Sequence, residues 1–553
     1  MNRLLTLHDP ATARAYYESG VWRPDTFYTL MARHAASRPN DWAARDGARR
    51  LTWAELKRWV DATADDLHEA GVREGERVSL WMGNRMEALV AFLACARNGY
   101  VCNPSLHRNY TVEEVLTLVD RLDAAAILVE EGYGVDVARN DPFAPLKARE
   151  SLRKVYRLPS GHDTGEDMPG PSRMARDLAP VNRNADSVCY LAFTSGTTGA
   201  PKGVMHAHNT LLANCRDLVA DWHHDSGTVL LSLSPLSHHI AWVAVGQAMV
   251  AGMEFIIDDP PEGMSRLDWM VETGASYVMG VPTHAMDILA EQKARKITKL
   301  GRVKLFYMAG APIPPAVAEA FLVQGIKPQN IYGMSENSSH QYTHPDDDAA
   351  TICATCGTGG KAYQVRIFDK ENPDQEVPAG TVGQIGGKGG ALMLGYFDNQ
   401  KATERSFNRD GWFLSGDLGA LDDAGNLTIA GRLKDMIIRG GHNIYPARIE
   451  DLAIKHAGIA KAAAFSVADE RLGERVCLAI LAEGSFLPEA EVVLTHLHAV
   501  GLSKYDMPEY FLVMGEFPLT PSGKILKREL VEWAKSGRIA PAPCRFVEPI
   551  PEG

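Results

Sequence analysis

Leu191-Ala192-Phe193-Thr194-Ser195-Gly196-Thr197-Thr198-Gly199-Ala200-Pro201-Lys202-Gly203-Val204-Met205-His206 reads as the end of a buried strand running into a polar loop. Its glycines let backbone N–H groups turn inward at φ values that other residues resist. The hydroxyls of Thr194, Ser195, Thr197 and Thr198 add donors, and Lys202 adds a mobile positive charge. Together these residue types make a nest for a polyphosphate. The Gly-x-x-x-x-Gly-Lys-Ser/Thr spacing is absent, so this is not a Walker A loop. A polar surface loop is the plain alternative, and the rest of the chain has to decide between them.

Working outward, 553 residues exceed what one hydrophobic core serves, so two to four structural units are expected. The hydrophobic share of 45% and charged share of 23% are those of an ordinary globular enzyme. A net charge of −12 argues against a general nucleic-acid binder. The eight cysteines are scattered, which suits reduced thiols in a cytoplasmic protein. Cys353-x-x-Cys356 has no second pair beside it, and this weighs against zinc. The N-terminal stretch lacks a sustained apolar run, so no signal peptide is expected. The apolar stretch Ile240–Ile257 is interrupted by Gln247, Gly252 and Glu254. It reads as a core helix running into a strand and not as a membrane span.

Residues 26–103 alternate helix and strand signals. A helix opens at Leu51–Leu56 and Gly71-Val72 stops it; Arg77–Met82 is a strand and Arg85–Arg97 a second helix. Such alternation predicts a layered α/β domain with a largely parallel sheet. Residues 131–186 read as an irregular excursion, and the alternation resumes from 188 to about 345. Gly- and Pro-rich turns and short β segments fill 357–430, as in a β-barrel-like subdomain. A composition shift falls at Gly431–Asp435. Beyond it a small α+β unit is predicted: a hairpin at Met436–Ile444, a helix at Pro446–His456, strands near Ala462–Val467 and Val476–Ala482, and a helix at Glu489–Ala499. The domain boundaries expected are 1–433 and 434–553.

Six further segments carry chemistry: Ser234–His239, Ala309-Gly310-Ala311-Pro312, Asn330-Ile331-Tyr332-Gly333-Met334-Ser335-Glu336, Gly411–Asp417, Gly431–Asp435 and Pro518–Arg528. An aromatic face offers stacking, and a hard carboxylate oxygen suits Mg²⁺ bridging phosphates. An ionised aspartate can accept two hydroxyl donors. Each segment alone also reads as an ordinary turn or a solvated charge.

In their order and spacing from Lys202 to Lys524, these segments resemble the adenylate-forming superfamily of acyl- and aryl-CoA ligases, peptide-synthetase adenylation domains and beetle luciferases. The resemblance implies a large N-terminal adenylation domain and a small mobile C-terminal lid. It implies that Thr194, Ser195, Gly196, Thr197, Thr198, Gly199 and Lys202 grip the phosphates of ATP. Gly310, Ala311, Pro312, Asn330, Tyr332, Gly333, Ser335, Asp417 and Arg432 would hold the rest of the nucleotide, with Tyr332 on adenine and Asp417 on ribose. Glu336 would hold magnesium. His238, Ala309, Gly333 and Met334 would line the acyl site. Ser237 stands where the family has an aromatic, which alters the shape expected there. Lys434 falls on the hinge position, and Gly440 and Gly441 on the channel for the CoA arm. Lys524 would be the catalytic lysine, with His238 and Glu336 beside it in the chemistry.

The activity so implied is an ATP-dependent carboxylate–CoA ligase, with Mg²⁺ as cofactor and an alicyclic, aromatic or medium-chain acid as substrate. The alternative is a ligase that passes its adenylate to a carrier protein. A homodimer and a lysine acetyltransferase acting on Lys524 are the macromolecular partners this reading admits; nucleic acid and membrane are not.

Overall fold

The computed structural model describes residues 4–162, 165, 167–194, 201–440, 442–484, 488–520 and 524–546. Ser195 to Ala200 of the phosphate loop, Gly441, and Pro521 to Gly523 lie outside the described residues. The chain divides into two compact units. One comprises Met1–Thr194, Ala200–Gln364 and Lys388–Ser406; the other comprises Ser195–Gly199, Val365–Gly387 and Phe407–Gly553.

In the first unit, Thr52 caps the long helix Trp53–Glu69. Glu55 N–H donates to Thr52 Oγ1 at 3.3 Å and Thr52 N–H donates to Glu55 Oε2 at 2.8 Å. Two orphan backbone donors are thereby satisfied. The helix starts two residues later than expected because Leu51-Thr52 ends the strand Arg50–Thr52. The strand Arg77–Trp81 follows, then the helix Met86–Asn98, every residue of which is buried. A helix apolar and small on all sides has to lie between layers. Its core joins residues of two sheets, among them Val78 and Tyr190 from one and Phe255 and Tyr307 from the other.

The first sheet has six strands, in the order Lys154–Leu158, Ala124–Glu130, Arg77–Trp81, Val101–Asn103, Val188–Thr194 and Lys202–Ala207. All neighbours are parallel except the last pair, which forms an antiparallel hairpin. Lys154–Leu158 corrects the reading of 131–186 as an excursion. As an edge strand it keeps polar residues among the apolar ones, which weakened its pattern.

The second sheet has eight strands, in the order Ser338–Tyr342, Lys327–Met334, Leu305–Ala309, Tyr277–Gly280, Val229–Ser232, Glu254–Ile257, Trp42–Arg45 and Arg50–Thr52. Its six inner strands run parallel and both edges are antiparallel. The apolar stretch at 240–257 forms the helix His239–Ala251 and the strand Glu254–Ile257. Gly252 separates them at φ +72, where a Cβ would meet the Arg38 guanidinium at 1.8 Å.

The second unit holds most of a four-stranded sheet made of Tyr363–Phe368, Gly383–Gly389, Phe413–Leu421 and Leu427–Arg432. It also holds a six-stranded sheet around the long hairpin Ile459–Asp469 and Gly473–Ala482. Helices Pro446–Ala453 and Ala490–Ala499 cover one face and Lys527–Lys535 the other. The fold is therefore a large α/β N-terminal region with mixed sheets and a smaller C-terminal α+β region. Among the described residues no helix is long and apolar enough to cross a membrane.

Candidate active site

In the first unit the predicted segments collect at the carboxyl ends of parallel strands. Ser234–His239 follows Val229–Ser232, Gly310-Ala311-Pro312 follows Leu305–Ala309, and Ser335-Glu336 follows Lys327–Met334. From Val229–Ser232 the chain builds Glu254–Ile257 on one side, then crosses to build Tyr277–Gly280 on the other. The loops after these strands thus flank a reversal of strand order, where open α/β sheets bind ligands.

Two of the segments adjoin edge hairpins. Val188–Thr194 pairs with Lys202–Ala207, with Thr194 facing Lys202 across the ladder. Ser335-Glu336-Asn337 joins Lys327–Met334 to Ser338–Tyr342. This turn is tight. A Cβ on Gly333 would fall 1.7 Å from the Ser338 carbonyl oxygen, and Met334 N–H donates to Asn337 Oδ1 at 3.1 Å.

A third segment, 393–397, joins the two hairpins. Met205 N–H donates to Gly395 O, Leu394 N–H to Met205 O and Phe397 N–H to Gly203 O, so the segment covers the free edge of Lys202–Ala207. Met393 N–H donates to Glu336 O. Tyr396 O–H donates to Glu336 Oε1 at 2.9 Å, and Lys202 Nζ lies 4.6 Å from the centroid of the Tyr396 ring. Burial, then the charge of Glu336, raises the Tyr396 phenol well above its ordinary pKa, so it stays protonated.

His206 adds a fourth tie. Its Nε2 lies 2.6 Å from Ser335 O and its Nδ1 2.9 Å from Thr210 Oγ1. Burial pulls the ring down to about 4, so it is neutral near pH 7.

Tyr332 is 9% exposed and packs edge-on against His340 at 5.5 Å. Asn330 is committed to the fold: its Nδ2 donates to the carbonyls of Ile352 and Thr355 at 3.0 and 2.9 Å. Gly310, Ala311 and Pro312 are exposed, Gly310 at φ +88, while Ala309 is buried. Near the acyl segment, Ser237 Oγ stands 3.1 Å from His107 Nδ1 and 3.2 Å from His238 Nδ1. The two rings are 4.6 Å apart, and burial, then His238, pulls His107 down to about 3. Asn84 fixes this segment from behind, accepting from Leu236 N–H at 2.9 Å.

A magnesium ion at Glu336 fits what is present. Glu336 is half-buried, its carboxylate is a hard donor, and Ser335 adds a hydroxyl beside it. Mg²⁺ takes one or two carboxylates plus substrate phosphates and needs no all-protein cage. Among the described residues the one grouping of three ligand-type side chains is Asp46, His162 and Asp259. There Asp46 already accepts from Arg49 and from the backbone of Ala48, Arg49 and Met86.

In the second unit, Asp417 and Arg432 are register partners on adjacent strands, with Nε 3.4 Å from Oδ1. Gly416 precedes Asp417 within the strand Phe413–Leu421 at φ +77, and Ser415 Oγ accepts from Asp417 N–H at 3.0 Å. Lys524 N–H donates to Thr520 Oγ1, and Thr520 N–H donates back to Lys524 O at 2.7 Å. The residue keeps more than a third of its surface. Crowding by protein, then Arg432, lowers its pKa, and Asp417 opposes the shift. Lys434 is also lowered, first by burial and then by Arg432. Gly440, at φ +57, follows the strand Ile437–Arg439, which pairs antiparallel with His442–Ile444.

Sequence reading missed Tyr396, His107, Asn84 and the role of His206. Tyr396 lies 60 residues from Glu336 along the chain, and no local pattern connects them.

The loops after Val229–Ser232, Leu305–Ala309 and Lys327–Met334, with the Glu336 carboxylate among them, are placed where open α/β enzymes bind their ligands. Residues 31–397 match the AMP-binding enzyme family and residues 448–524 the AMP-binding enzyme C-terminal domain. The chain belongs to the AMP-binding enzyme family. It is 32% identical to feruloyl-CoA synthase of an Amycolatopsis species over 90% of this chain and 97% of that protein. It is 31% identical to the 3-[(3aS,4S,7aS)-7a-methyl-1,5-dioxo-octahydro-1H-inden-4-yl]propanoyl:CoA ligase of Mycobacterium tuberculosis, over 88% and 94%. Crystalline ATP-bound MatB from Rhodopseudomonas palustris superposes with a TM-score of 0.82 at 28% identity, covering 93% of this chain and all of that one. The activity is that of an AMP-forming acid–thiol ligase: a carboxylic acid and ATP give an acyl-adenylate, and CoA takes the acyl group.

Proposed function

We propose that the residues above divide the work as follows. The loop Thr194–Lys202 holds the β- and γ-phosphates, Tyr332 stacks on adenine, and Asp417 accepts from the ribose hydroxyls. Mg²⁺ held at Glu336 would neutralise phosphate charge. A carboxylate oxygen of the acid attacks the α-phosphorus, the bond to the β-phosphate oxygen breaks, and pyrophosphate leaves. Lys524 bridges the carboxylate and α-phosphate while negative charge builds between them. The CoA sulfur then attacks the acyl carbon, its proton passes to water, and AMP leaves. Residues 434–553 turn about Lys434 between the steps, and Gly440-Gly441 line the path of the pantetheine arm, where their lack of side chains suits a narrow channel.

One observation carries this reading: Lys524 stands within the fields of Arg432 and Asp417, three residues picked out separately for one nucleotide. The acid is an alicyclic, aromatic or medium-chain carboxylate. In support, the named relatives act on feruloyl and octahydro-indenyl propanoyl groups, and a further relative in Escherichia coli is a medium-chain fatty-acid–CoA ligase. Cysteine usage supports a cytoplasmic location.

The test is AMP and pyrophosphate release over a panel of acids, with and without CoA. Multiple turnovers strictly dependent on CoA, best on ring-bearing or medium-length acids, are expected. Best activity on acetate or a dicarboxylate overturns the substrate class. Adenylate that accumulates and is never consumed by CoA favours transfer to a carrier protein.

A further inference from the structure

Lys202, at the start of the strand Lys202–Ala207, and Glu336, in the turn before Ser338–Tyr342, meet at one tyrosine. A lysine ammonium and a glutamate carboxylate that touch the same side chain have an obvious alternative to binding ligand, which is to bind each other. A direct ion pair would leave the ammonium turned from phosphate and the carboxylate turned from metal. Tyr396 stands in the way. Its hydroxyl donates to Glu336 Oε1 at 2.9 Å, and its ring face receives Lys202 Nζ at 4.6 Å. A phenol offers the carboxylate a neutral donor and offers the cation the negative face of a π-system. Both partners are held by one uncharged side chain.

The position of Tyr396 is itself fixed. The backbone of 394–397 is bonded along Gly203–Met205, Met393 N–H donates to Glu336 O, and Tyr396 N–H donates to Thr403 Oγ1 at 2.9 Å. The side chain is 5% exposed, so it has little freedom to leave.

We propose that Tyr396 is a positioning residue for the adenylation step: an uncharged spacer that keeps Lys202 and Glu336 from pairing and presents them separately to the phosphates and the metal. The inference rests on the reading of Glu336 as the metal carboxylate.

The test uses the full chain and equilibrium binding of the β,γ-imido analogue of ATP, titrated with Mg²⁺. Tyr396→Phe keeps the ring and removes the O–H. It is expected to raise the Mg²⁺ concentration for half-maximal analogue binding 5- to 20-fold, with the melting temperature and the KM for the acid unchanged. Tyr396→Leu removes the ring as well and is expected to weaken analogue binding further at saturating Mg²⁺. Tyr396→His, which retains a ring and an N–H donor, recovers part of the Mg²⁺ response and serves should the phenylalanine variant fold poorly. Glu336→Gln is the control. If it leaves the Mg²⁺ dependence as in the wild type, the reading of Glu336 is wrong and the inference falls with it. If Glu336→Gln shifts the dependence and Tyr396→Phe does not, the inference alone is overturned. In the double variant, Tyr396→Phe is expected to add nothing; a full additive loss also refutes it.

Discussion

The His206 ring and the Ser335 carbonyl oxygen lie 2.6 Å apart, and they tie the strand of the phosphate loop to the turn that carries Glu336. A carbonyl can only accept, so Nε2 carries the proton and Nδ1 is left to face the Thr210 hydroxyl. The contact is buried and the imidazole neutral. Removing the donor leaves a buried carbonyl short of a partner, at a cost of about 1–3 kcal/mol. His206→Leu is therefore expected to lower stability by that amount in urea unfolding. It should also raise the KM for ATP, while His206→Gln, with its own N–H donor, retains more of both. An unchanged KM for ATP in a folded His206→Leu protein would show that the tie serves stability alone.

Acid should destabilise the fold through its buried neutral histidines. Burial lowers His206 to about 4 and His107 and His208 to about 3. The unfolded chain binds these protons near pH 6.5, so between pH 6.5 and 4 it holds more protons than the native state. Stability from these groups is complete above pH 6.5 and is lost as pH falls toward the native values. At pH 5 each such group costs on the order of 2 kcal/mol relative to pH 7.5. Urea midpoints measured at both pH values check this, and a flat profile across the range contradicts it.

How much of this was legible follows from the range of each interaction. The cap at Thr52 and Glu55, the break at Gly252 and the hairpin at Gly440 are decided by residues within a few positions, and the sequence pattern carries them. Asp417 and Arg432 were found as separate motifs, and their pairing across one ladder explains why both are needed. Tyr396 and His206 act on groups 60 and 129 residues away. Nothing around them in sequence marks those partners, because the sheet order creates the contacts. Asn330 shows the opposite difficulty: a motif residue next to the nucleotide segment whose amide serves two backbone carbonyls. Lys154–Leu158 was unread because an edge strand buries too little to show a clean alternation.

Gly333 admits no side chain. The Cβ of an alanine would overlap the Ser338 carbonyl oxygen at 1.7 Å and the Ser339 Cα at 3.1 Å, both backbone atoms that cannot rotate away. Overpacking of this kind costs about 1–3 kcal/mol or more. Gly333→Ala is expected to separate the two strands locally, lowering the melting temperature and weakening binding of the ATP analogue at least tenfold. Alanine at this position with wild-type nucleotide affinity would mean that the turn is looser than the ladder indicates.

Lys524 is expected to dominate the adenylation half-reaction. A charge pair near 4 Å at an effective dielectric of 20 is worth about 4 kcal/mol, which corresponds to roughly a thousandfold in rate. Lys524→Ala should reduce acid-dependent ATP–pyrophosphate exchange by about that factor, with the fold intact because the residue is exposed. Acetylation of the amine removes the same charge and should have the same effect. The pH profile supplies a second check. Crowding and Arg432 lower the pKa of Lys524, and only its protonated form can bridge two anions. Exchange should therefore decline on the alkaline side at a pH below that of an ordinary lysine, and Lys524→Arg, charged throughout, should remove that limb. A Lys524→Ala enzyme with wild-type exchange, or an alkaline limb unmoved in Lys524→Arg, would assign the bridging charge to another residue.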